Sequence, residues 1–190
     1  MASMNYRLKT ERLILRQLEL NDAPRIQQLA AALEVARNTL SMPHPYEDGV
    51  AEKFIGQVNE EWEQGAAYVF CIALKSDNLL IGVTGIHPRE LHRQAEIGYW
   101  LGVPYWNKGY GTEAARRLMQ FGFEDLNLNR VHASYFTRNP ASTSIMQKNG
   151  MTYKGTMRQH YIRFGEFMDV GIYAILRSEW DAANGAADSA

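Results

Sequence analysis

A strand, a glycine-containing loop and the start of a helix follow one another in residues 96–114, EIGYWLGVPYWNKGYGTEA. Gly109 and Gly111 let the backbone turn sharply and approach a ligand closely. The first turn of a helix leaves backbone N–H groups unpaired at the positive end of the helix dipole. The stretch therefore predicts a phosphate or pyrophosphate site, to which Lys108 adds a charge and Thr112 a hydroxyl donor.

Around this stretch, apolar spacing predicts one mixed α/β domain over residues 1–180, followed by a flexible tail over residues 181–190. The predicted order of elements is β-α-α-β-β-β-α-β-α-β-β. The strands are predicted at 13–15, 68–74, 79–86, 95–103, 130–136, 152–161 and 167–176. The first helix is predicted to begin at residues 21–24 and to include Ile26, Leu29 and Leu33, and the others lie at 50–65, 112–126 and 139–149.

Composition excludes several classes of protein. The 190 residues include 20 Lys and Arg against 21 Asp and Glu, a net charge of −1, so neither nucleic acid nor an anionic membrane is expected as a partner. The lone Cys71 excludes a disulfide framework and a Cys-rich zinc site, and its apolar neighbours predict a buried thiol. No signal-like or membrane-spanning segment is evident, which predicts a cytoplasmic protein.

The glycine loop alone leaves several interpretations open. It lacks the spacing of a P-loop. It matches the dinucleotide pattern superficially as Gly109-x-Gly111-x-x-Ala114, but it follows a hairpin and the next strand does not end in an acid. A tight turn without any ligand would also place two glycines here.

The chain resembles the GNAT family of N-acetyltransferases, in particular its RimJ/RimL-type branch. The family's pyrophosphate signature, Gln/Arg-x-x-Gly-x-Gly/Ala, stands here as WNKGYG in residues 106–111, with Trp106 replacing the first residue. Further matching segments are TERLILR (10–16), GVTGI (82–86), EIGYWL (96–101), NPAS (139–142) and KNGM (148–151). The resemblance extends from Thr10 to Trp180.

The resemblance implies a twisted, mixed, seven-stranded sheet flanked by about four helices, with acetyl-CoA as co-substrate and no metal. The strand that holds Glu96 lies at the centre, and the parallel strand at 130–136 diverges from it. A bulge near Leu101–Val103 would free backbone groups for the pantetheine arm. The residues expected to contact acetyl-CoA are Leu101, Gly102, Val103, Asn107, Lys108, Gly109, Tyr110, Gly111, Thr112, Asn139 and Ser142.

The resemblance also implies two catalytic residues. Ser142 is expected to protonate the departing thiolate, because Met146 occupies the position where many members carry a tyrosine. Glu96 is the candidate general base; His160, Tyr161 or a water molecule remain alternatives. In structural terms, Ser142 could simply cap a helix, and Glu96 could be a salt-bridged strand carboxylate.

The predicted reaction is direct attack of an amine on acetyl-CoA in a ternary complex, since Cys71 lies outside the predicted cleft. The resemblance favours a protein N-terminal α-amino group as acceptor, such as that of a ribosomal protein, and leaves a homodimer open. Acceptor contacts are expected in residues 38–48 and 163–166. The alternatives are a small amine, an amino acid or an antibiotic as acceptor, a non-catalytic acyl-CoA-binding domain, and a dinucleotide oxidoreductase.

Overall fold

One mixed sheet organises the chain in the computed structural model, which describes residues 6–185. Its eight strands are β1 (Leu8–Lys9), β2 (Leu13–Gln17), β3 (Tyr68–Leu74), β4 (Leu80–Arg89), β5 (Gln94–Leu101), β6 (Arg130–Phe136), β7 (Thr152–Arg163) and β8 (Glu166–Leu176). The helices are α1 (Ala23–Ala30), α2 (Leu33–Arg37), α3 (Val50–Glu63), α4 (Tyr110–Glu124), α5 (Pro140–Lys148) and α6 (Arg177–Gly185). The predicted fold is confirmed, with three additions: the two-residue strand β1 and the short helices α2 and α6.

The centre of the sheet opens into a fork. The spatial order is β1-β2-β3-β4-β5-β6-β8-β7, and only β5 and β6 run parallel among the described strands. These two strands pair over three residues, from Gln94 with Arg130 to Glu96 with His132, and then separate. Backbone groups beyond the last pair therefore lack a neighbouring strand on that side, which creates a cleft in the middle of the fold.

The bulge predicted near Leu101–Val103 is not found on β5. The pairing of β4 with β5 runs in unbroken register from Gly82 with Leu101 to Arg89 with Gln94. The irregularity lies on β4 instead, where Ile72 pairs with Gly82 and Ala73 pairs with Leu80, so that Ile81 is skipped. A Cβ on Gly82 would lie 2.2 Å from the carbonyl oxygen of Trp100, so this crowded position accepts only glycine.

Helices cover both faces of the sheet. Residues three apart on a strand point to opposite faces, and on β4 Val83 packs with α1 and α3 whereas Ile86 packs with α4. Cys71 is fully buried on the face of α1 and α3, as predicted, and this burial raises its pKa to about 12. It is therefore a structural thiol and not a nucleophile.

The end of the domain lies beyond the predicted boundary at residue 180. Helix α6 continues to Gly185, and its buried Trp180 packs on Phe123 of α4 with ring centroids 5.4 Å apart. Residues 181–185 of the predicted tail are therefore helical, and residues 186–190 lie outside the described part of the chain. Within residues 6–185, no helix combines the length and the apolar character needed to cross a membrane.

Candidate active site

A cavity of about 1000 Å³ occupies the fork between β5 and β6. Its wall is formed by β4, β5, β6, α3, the starts of α4 and α5, and residues 38–43. Of the residues predicted to contact acetyl-CoA, the wall includes Leu101, Asn107, Gly109, Tyr110, Gly111, Thr112, Asn139 and Ser142. Residues that the sequence predicted in two separate loops, at 107–112 and at 139–142, thus line one cavity.

Three of the predicted acetyl-CoA residues are not in the wall. The N–H of Gly102 donates to the carbonyl of Ile81 at 2.9 Å, so it is already paired. Val103 is 37% exposed in a short turn outside the cavity. Lys108 does not line the cavity, and its Nζ lies 5.8 Å from the ring centroid of Tyr105. Without a bulge on β5, the Gly102 N–H stays paired with β4 and does not face the cleft.

The N-terminus of α4 presents free amide groups to the cavity. Gly109 precedes the helix with φ of +81°, a conformation that favours glycine, and no side chain caps this end. The first helical hydrogen bond described runs from the N–H of Glu113 to the carbonyl of Gly109. The amides of Tyr110, Gly111 and Thr112 precede it and have no acceptor within the helix, so they can bind an anion.

A carboxylate holds this helix start in place. Glu113 accepts hydrogen bonds from the Thr10 hydroxyl (2.6 Å), the Arg12 backbone N–H (2.9 Å) and the Arg12 Nε (2.7 Å). Arg12 also donates to the carbonyl of Lys108 at 3.0 Å and stacks on the Tyr110 ring at 4.6 Å. Burial raises the pKa of Glu113, but the hydrogen bonds from Thr10 and Arg12 outweigh it and leave this pKa below its usual value.

The sequence did not predict this cluster, although Thr10 and Arg12 lie in one of the segments that match the family and Glu113 lies in another. Residues 10–16 and residues 96–114 each matched the family, but no local pattern shows that the two segments meet. Gly111 likewise has a role that the sequence did not reveal. A Cβ at this position would lie 2.8 Å from Cδ1 of Ile145, so the glycine lets α5 pack closely against α4.

Ser142 lies at the start of α5, in contact with a tyrosine of the central strand. Its N–H donates to Oδ1 of Asn139, the N-cap residue, at 3.4 Å. Its Oγ lies 3.1 Å from the hydroxyl of Tyr99, which also lies 3.3 Å from the Ser142 carbonyl oxygen. Burial raises the pKa of Tyr99 to about 12, although the hydrogen bond with Ser142 lowers it. Tyr99 therefore remains a neutral phenol with one proton to donate.

Glu96 lies at the apex of the fork and not in the cavity wall. Its side chain is 46% exposed, and its Oε2 is 4.0 Å from Nε2 of His132 on β6. Burial lowers the pKa of His132, and Arg130 and Arg89 lower it further, while Glu96 raises it. The net effect is a neutral imidazole at pH 7 beside a partly exposed carboxylate.

The other candidate bases lie in different surroundings. His160 and Tyr161 are exposed on β7, where the pairing with β8 is irregular between Met157 and Tyr161, and neither lines the cavity. His87, to which the sequence analysis gave no role, pairs with Glu96 across β4 and β5 and does line the cavity. The structure thus brings His87, Glu96 and His132 into one row across three strands.

Aromatic and polar side chains form the part of the wall away from α4. Tyr46, Trp100 and Tyr105 line it, whereas Trp62 is buried in the core. Glu61 of α3 is the one carboxylate in the wall formed by the described residues, and the amide of Gln57 donates to it at 2.8 Å. No cluster of three or more metal-ligating side chains occurs within residues 6–185.

A family model described as Acetyltransferase (GNAT) domain matches residues 12–152. This chain belongs to the GNAT family. The match decides the interpretation of the glycine loop in favour of coenzyme A and against a dinucleotide. The GNAT protein described here is therefore an acyltransferase with acetyl-CoA as co-substrate.

Relatives of this GNAT chain match it over nearly its full length. The uncharacterized N-acetyltransferase p20 of Bacillus licheniformis is 32% identical over 174 residues, which cover 91% of this chain and 97% of the relative. The crystal structure of a GNAT-family acetyltransferase from Bacillus anthracis is 28% identical, with a TM-score of 0.80 over 91% of this chain and 99% of that one.

The RimJ/RimL-type resemblance is confirmed in the fold. The structure of RimL, the ribosomal L7/L12 α-N-protein acetyltransferase, in complex with coenzyme A has a TM-score of 0.83. The match covers 90% of this chain and 98% of RimL at 20% identity, so it shows that the two proteins share a fold.

Proposed function

We propose that this GNAT protein acetylates the α-amino group at the N-terminus of a protein or peptide, by direct attack on acetyl-CoA in a ternary complex. Among its relatives is the [Ribosomal protein uS5]-alanine N-acetyltransferase of Escherichia coli, 24% identical over 92% of both chains. The observation that carries the choice of acceptor is the composition of the cavity wall, where Glu61 is the one carboxylate among the described residues.

The donor half of the cavity fits a diphosphate. The amides of Tyr110, Gly111 and Thr112 are free to bind phosphate oxygens, which the positive end of α4 also attracts. A second recess beside this helix start contains Arg12, Arg116 and Lys148, cations that suit further phosphate groups. Its two carboxylates are Glu11 and Glu113, and the second of these is already paired with Arg12.

The pantetheine arm would lie in the fork. The N–H of Gly102 bonds to the carbonyl of Ile81, and the alternation of an antiparallel ladder then directs the N–H and the carbonyl of Tyr99, which lies beyond the last pair of β5 with β6, away from β4. These groups face the space that β6 vacates, so they can bond an extended ligand. A backbone amide placed in this way can also stabilise negative charge on the thioester oxygen during attack.

Ser142 and Tyr99 would handle the proton of the leaving group. The amine nitrogen forms a bond to the acetyl carbon, the carbon–sulfur bond breaks, and the Ser142 hydroxyl donates its proton to the departing sulfur. The neutral Tyr99 phenol, 3.1 Å from Ser142 Oγ, can return a proton to that oxygen and then regain one from water when the products leave. Glu96 would take the proton of the amine through water, since it lies at the apex of the fork and outside the wall.

A polyamine is the second acceptor class to consider. The spermidine N-acetyltransferase of Vibrio cholerae in complex with CoA and spermine has the same fold, with a TM-score of 0.78 at 22% identity. A polyamine carries several cations, and a site for it needs several carboxylates. The wall here includes one carboxylate, Glu61, and two cations, Lys53 and Lys148, among the described residues, which disfavours a polycation and suits an acceptor with a single amine.

A panel of amines tests the proposal. The protein is incubated with acetyl-CoA and, separately, with peptides that begin with Ala or Ser, the same peptides with a blocked N-terminus and an internal Lys, and spermidine. Release of CoA is followed with a thiol reagent, and we expect at least roughly tenfold higher kcat/KM for the free N-termini. Equal activity on the blocked peptides or preference for spermidine would refute the acceptor assignment. Binding of acetyl-CoA without turnover of any amine would indicate a non-catalytic acyl-CoA-binding domain.

A further inference from the structure

Arg163, at the tip of the β7–β8 hairpin, bonds two backbone positions, one in α2 and one in the loop that follows it. Its Nε and Nη2 donate to the carbonyl oxygen of Ala36 at 3.2 and 2.8 Å. Its Nη2 also donates to the carbonyl oxygen of Met42. One planar guanidinium thus bonds both ends of the loop that follows α2.

A second arginine bonds the neighbouring carbonyl of α2. Arg138, just before α5, donates to the carbonyl of Arg37 at 2.7 Å and lies 3.6 Å from Glu166 at the hairpin tip. Ala36 and Arg37 form the last turn of α2, and the Ala36 carbonyl also accepts from the N–H of Thr39 at 3.4 Å. Both guanidinium groups donate to carbonyls at this helix end, although burial and then the positive charge of Arg138 lower the pKa of Arg163.

The loop that Arg163 holds is part of the cavity wall. Residues 38–43, here called the roof segment, all line the cavity. The other side-chain hydrogen bonds described for this segment are local, from Asn38 to Glu34 and from Thr39 to Val35 and Ala36. Arg163 and Arg138 therefore supply the long-range hydrogen bonds that position the roof segment against the rest of the domain.

The roof segment belongs to the acceptor half of the cavity. Met42 packs in a cluster with Val35 and Ala36, against Tyr46 and Trp100. The proposed acetyl-CoA contacts lie elsewhere, at the start of α4 and in the fork. A displaced roof segment would therefore change the shape of the acceptor half and leave the donor half intact.

We propose that Arg163 is a positioning residue for the acceptor, which fixes the roof segment as the wall against which the amine-bearing group lies. The proposal rests on the proposed function for the identity of the acceptor and on the described hydrogen bonds for the position of the roof segment. It predicts that the Michaelis constant for the acceptor depends on Arg163, whereas that for acetyl-CoA does not.

Three variants test this role. Arg163→Met removes all the donors and keeps the apolar stem. Arg163→Lys keeps the charge but cannot span both carbonyls in a planar arrangement. Arg158→Ala is the matched control, because Arg158 is exposed on the same strand and makes none of these contacts. Thermal unfolding confirms that each variant is folded.

Steady-state kinetics use the peptide that the wild type acetylates best. For Arg163→Met we expect KM for the peptide to rise by roughly 10- to 100-fold, with KM for acetyl-CoA unchanged. Arg163→Lys should be intermediate and Arg158→Ala unchanged. A parallel change in both Michaelis constants, or no change in that of the peptide, would overturn the role in acceptor positioning.

Hydrogen exchange tests the position of the roof segment without any acceptor. In Arg163→Met, amides of residues 37–42 should exchange faster than in the wild type, while those at the start of α4 should not. Unchanged exchange in the roof segment overturns the inference even if activity falls. If the wild type acetylates no amine in the panel, the proposed function fails, and the exchange data alone decide whether Arg163 fixes this wall.

Discussion

Replacing Glu113 by Gln tests whether a single carboxylate organises the start of α4. In the wild type, its Oε1 accepts from Thr10 and from the backbone of Arg12, and its Oε2 accepts from the Arg12 guanidinium. Glutamine has one oxygen and one NH₂ group. Whichever way the amide turns, its NH₂ faces a donor, so one half of this arrangement is lost.

The magnitude follows from the type of each bond. A hydrogen bond to a charged group contributes about 1.5–3 kcal/mol and a neutral one about 0.5–1.5 kcal/mol. The Arg12 side chain is 44% exposed and that of Glu113 is 17% exposed, so solvent screens the ionic part. We expect Glu113→Gln to lower the free energy of unfolding by about 1–3 kcal/mol at pH 7 and to weaken acetyl-CoA binding, because Arg12 also contacts Lys108 and Tyr110.

The pH dependence gives this prediction its sharpest test. The pKa of Glu113 in the folded protein lies below its ordinary value of 4.5. A carboxylate with a lowered pKa stabilises the fold above the unfolded value, and this contribution is lost as the pH falls through the folded value. The difference between wild type and variant should therefore be constant above about pH 6 and should shrink below about pH 4.5.

Urea denaturation at pH 7 and pH 4 measures the difference, and calorimetry at pH 7 measures acetyl-CoA binding. Glu124→Gln is the control on the same helix, since Glu124 is exposed and accepts one hydrogen bond from Gln120. That variant should change little. A Glu113→Gln effect that is the same at both pH values, or absent at pH 7, would refute the assignment of the stabilisation to the charged carboxylate.

Three further predictions concern the cleft and the core. Tyr99→Phe and Ser142→Ala should each lower kcat more than they change KM for acetyl-CoA. The double variant should lose less transition-state stabilisation than the sum of the two single losses, because the two hydroxyls share one hydrogen bond. Additive losses would argue against a shared role. Glu96→Gln should lower the pKa of His132, since the carboxylate raises it; NMR titration of the imidazole measures this shift, and an unchanged pKa would contradict the contact. Cys71→Ala should leave kcat unchanged, and a thiol reagent should modify Cys71 only after unfolding; fast labelling of the native protein would show that the thiol is not buried.

Local patterns were sufficient to predict the order of the elements. The apolar stripe of α4 and the alternating strands repeat with their own periods, so each could be assigned from neighbouring residues alone. The loop at 106–111 was predictable for the same reason, because glycines and a helix start are contiguous in the chain. The short helix α2 was not distinguished from the helix before it, since only two residues separate Ala30 from Leu33.

The contacts that complete the candidate site join residues far apart in the chain. Glu113 meets Arg12 across 101 positions, and Arg163 meets Ala36 across 127. Sequence periodicity indicates which face of an element is buried, but it does not show which polar side chain of one loop reaches the backbone of another. Thr10 and Arg12 therefore received no role from the sequence, and Arg163 was expected only as part of the acceptor-contact range 163–166, without its bonds to Ala36 and Met42.

The position of the bulge in the sheet could not be predicted from local sequence either. Whether a strand bulges depends on the fit of its neighbours, and here the close approach of Gly82 to the Trp100 carbonyl decides it. Because Gly82 and Leu101 face each other in the register, the irregularity occurs at the predicted level of the sheet but on the adjacent strand.

One half of the cavity is lined by backbone groups and the other by side chains, and this difference affects how easily acceptor specificity can change. In the proposed assignment, the donor half consists of backbone groups at the start of α4 and along β5, whose positions the fold itself determines. The acceptor half consists of side chains of α3 and of a roof segment held by Arg163 from another element. A substitution can change a side chain without changing the fold, so the acceptor half can vary while the acetyl-CoA site stays the same. Acceptor preference in this chain should therefore follow Glu61, Trp100 and the roof segment, whereas acetyl-CoA binding should be insensitive to all three.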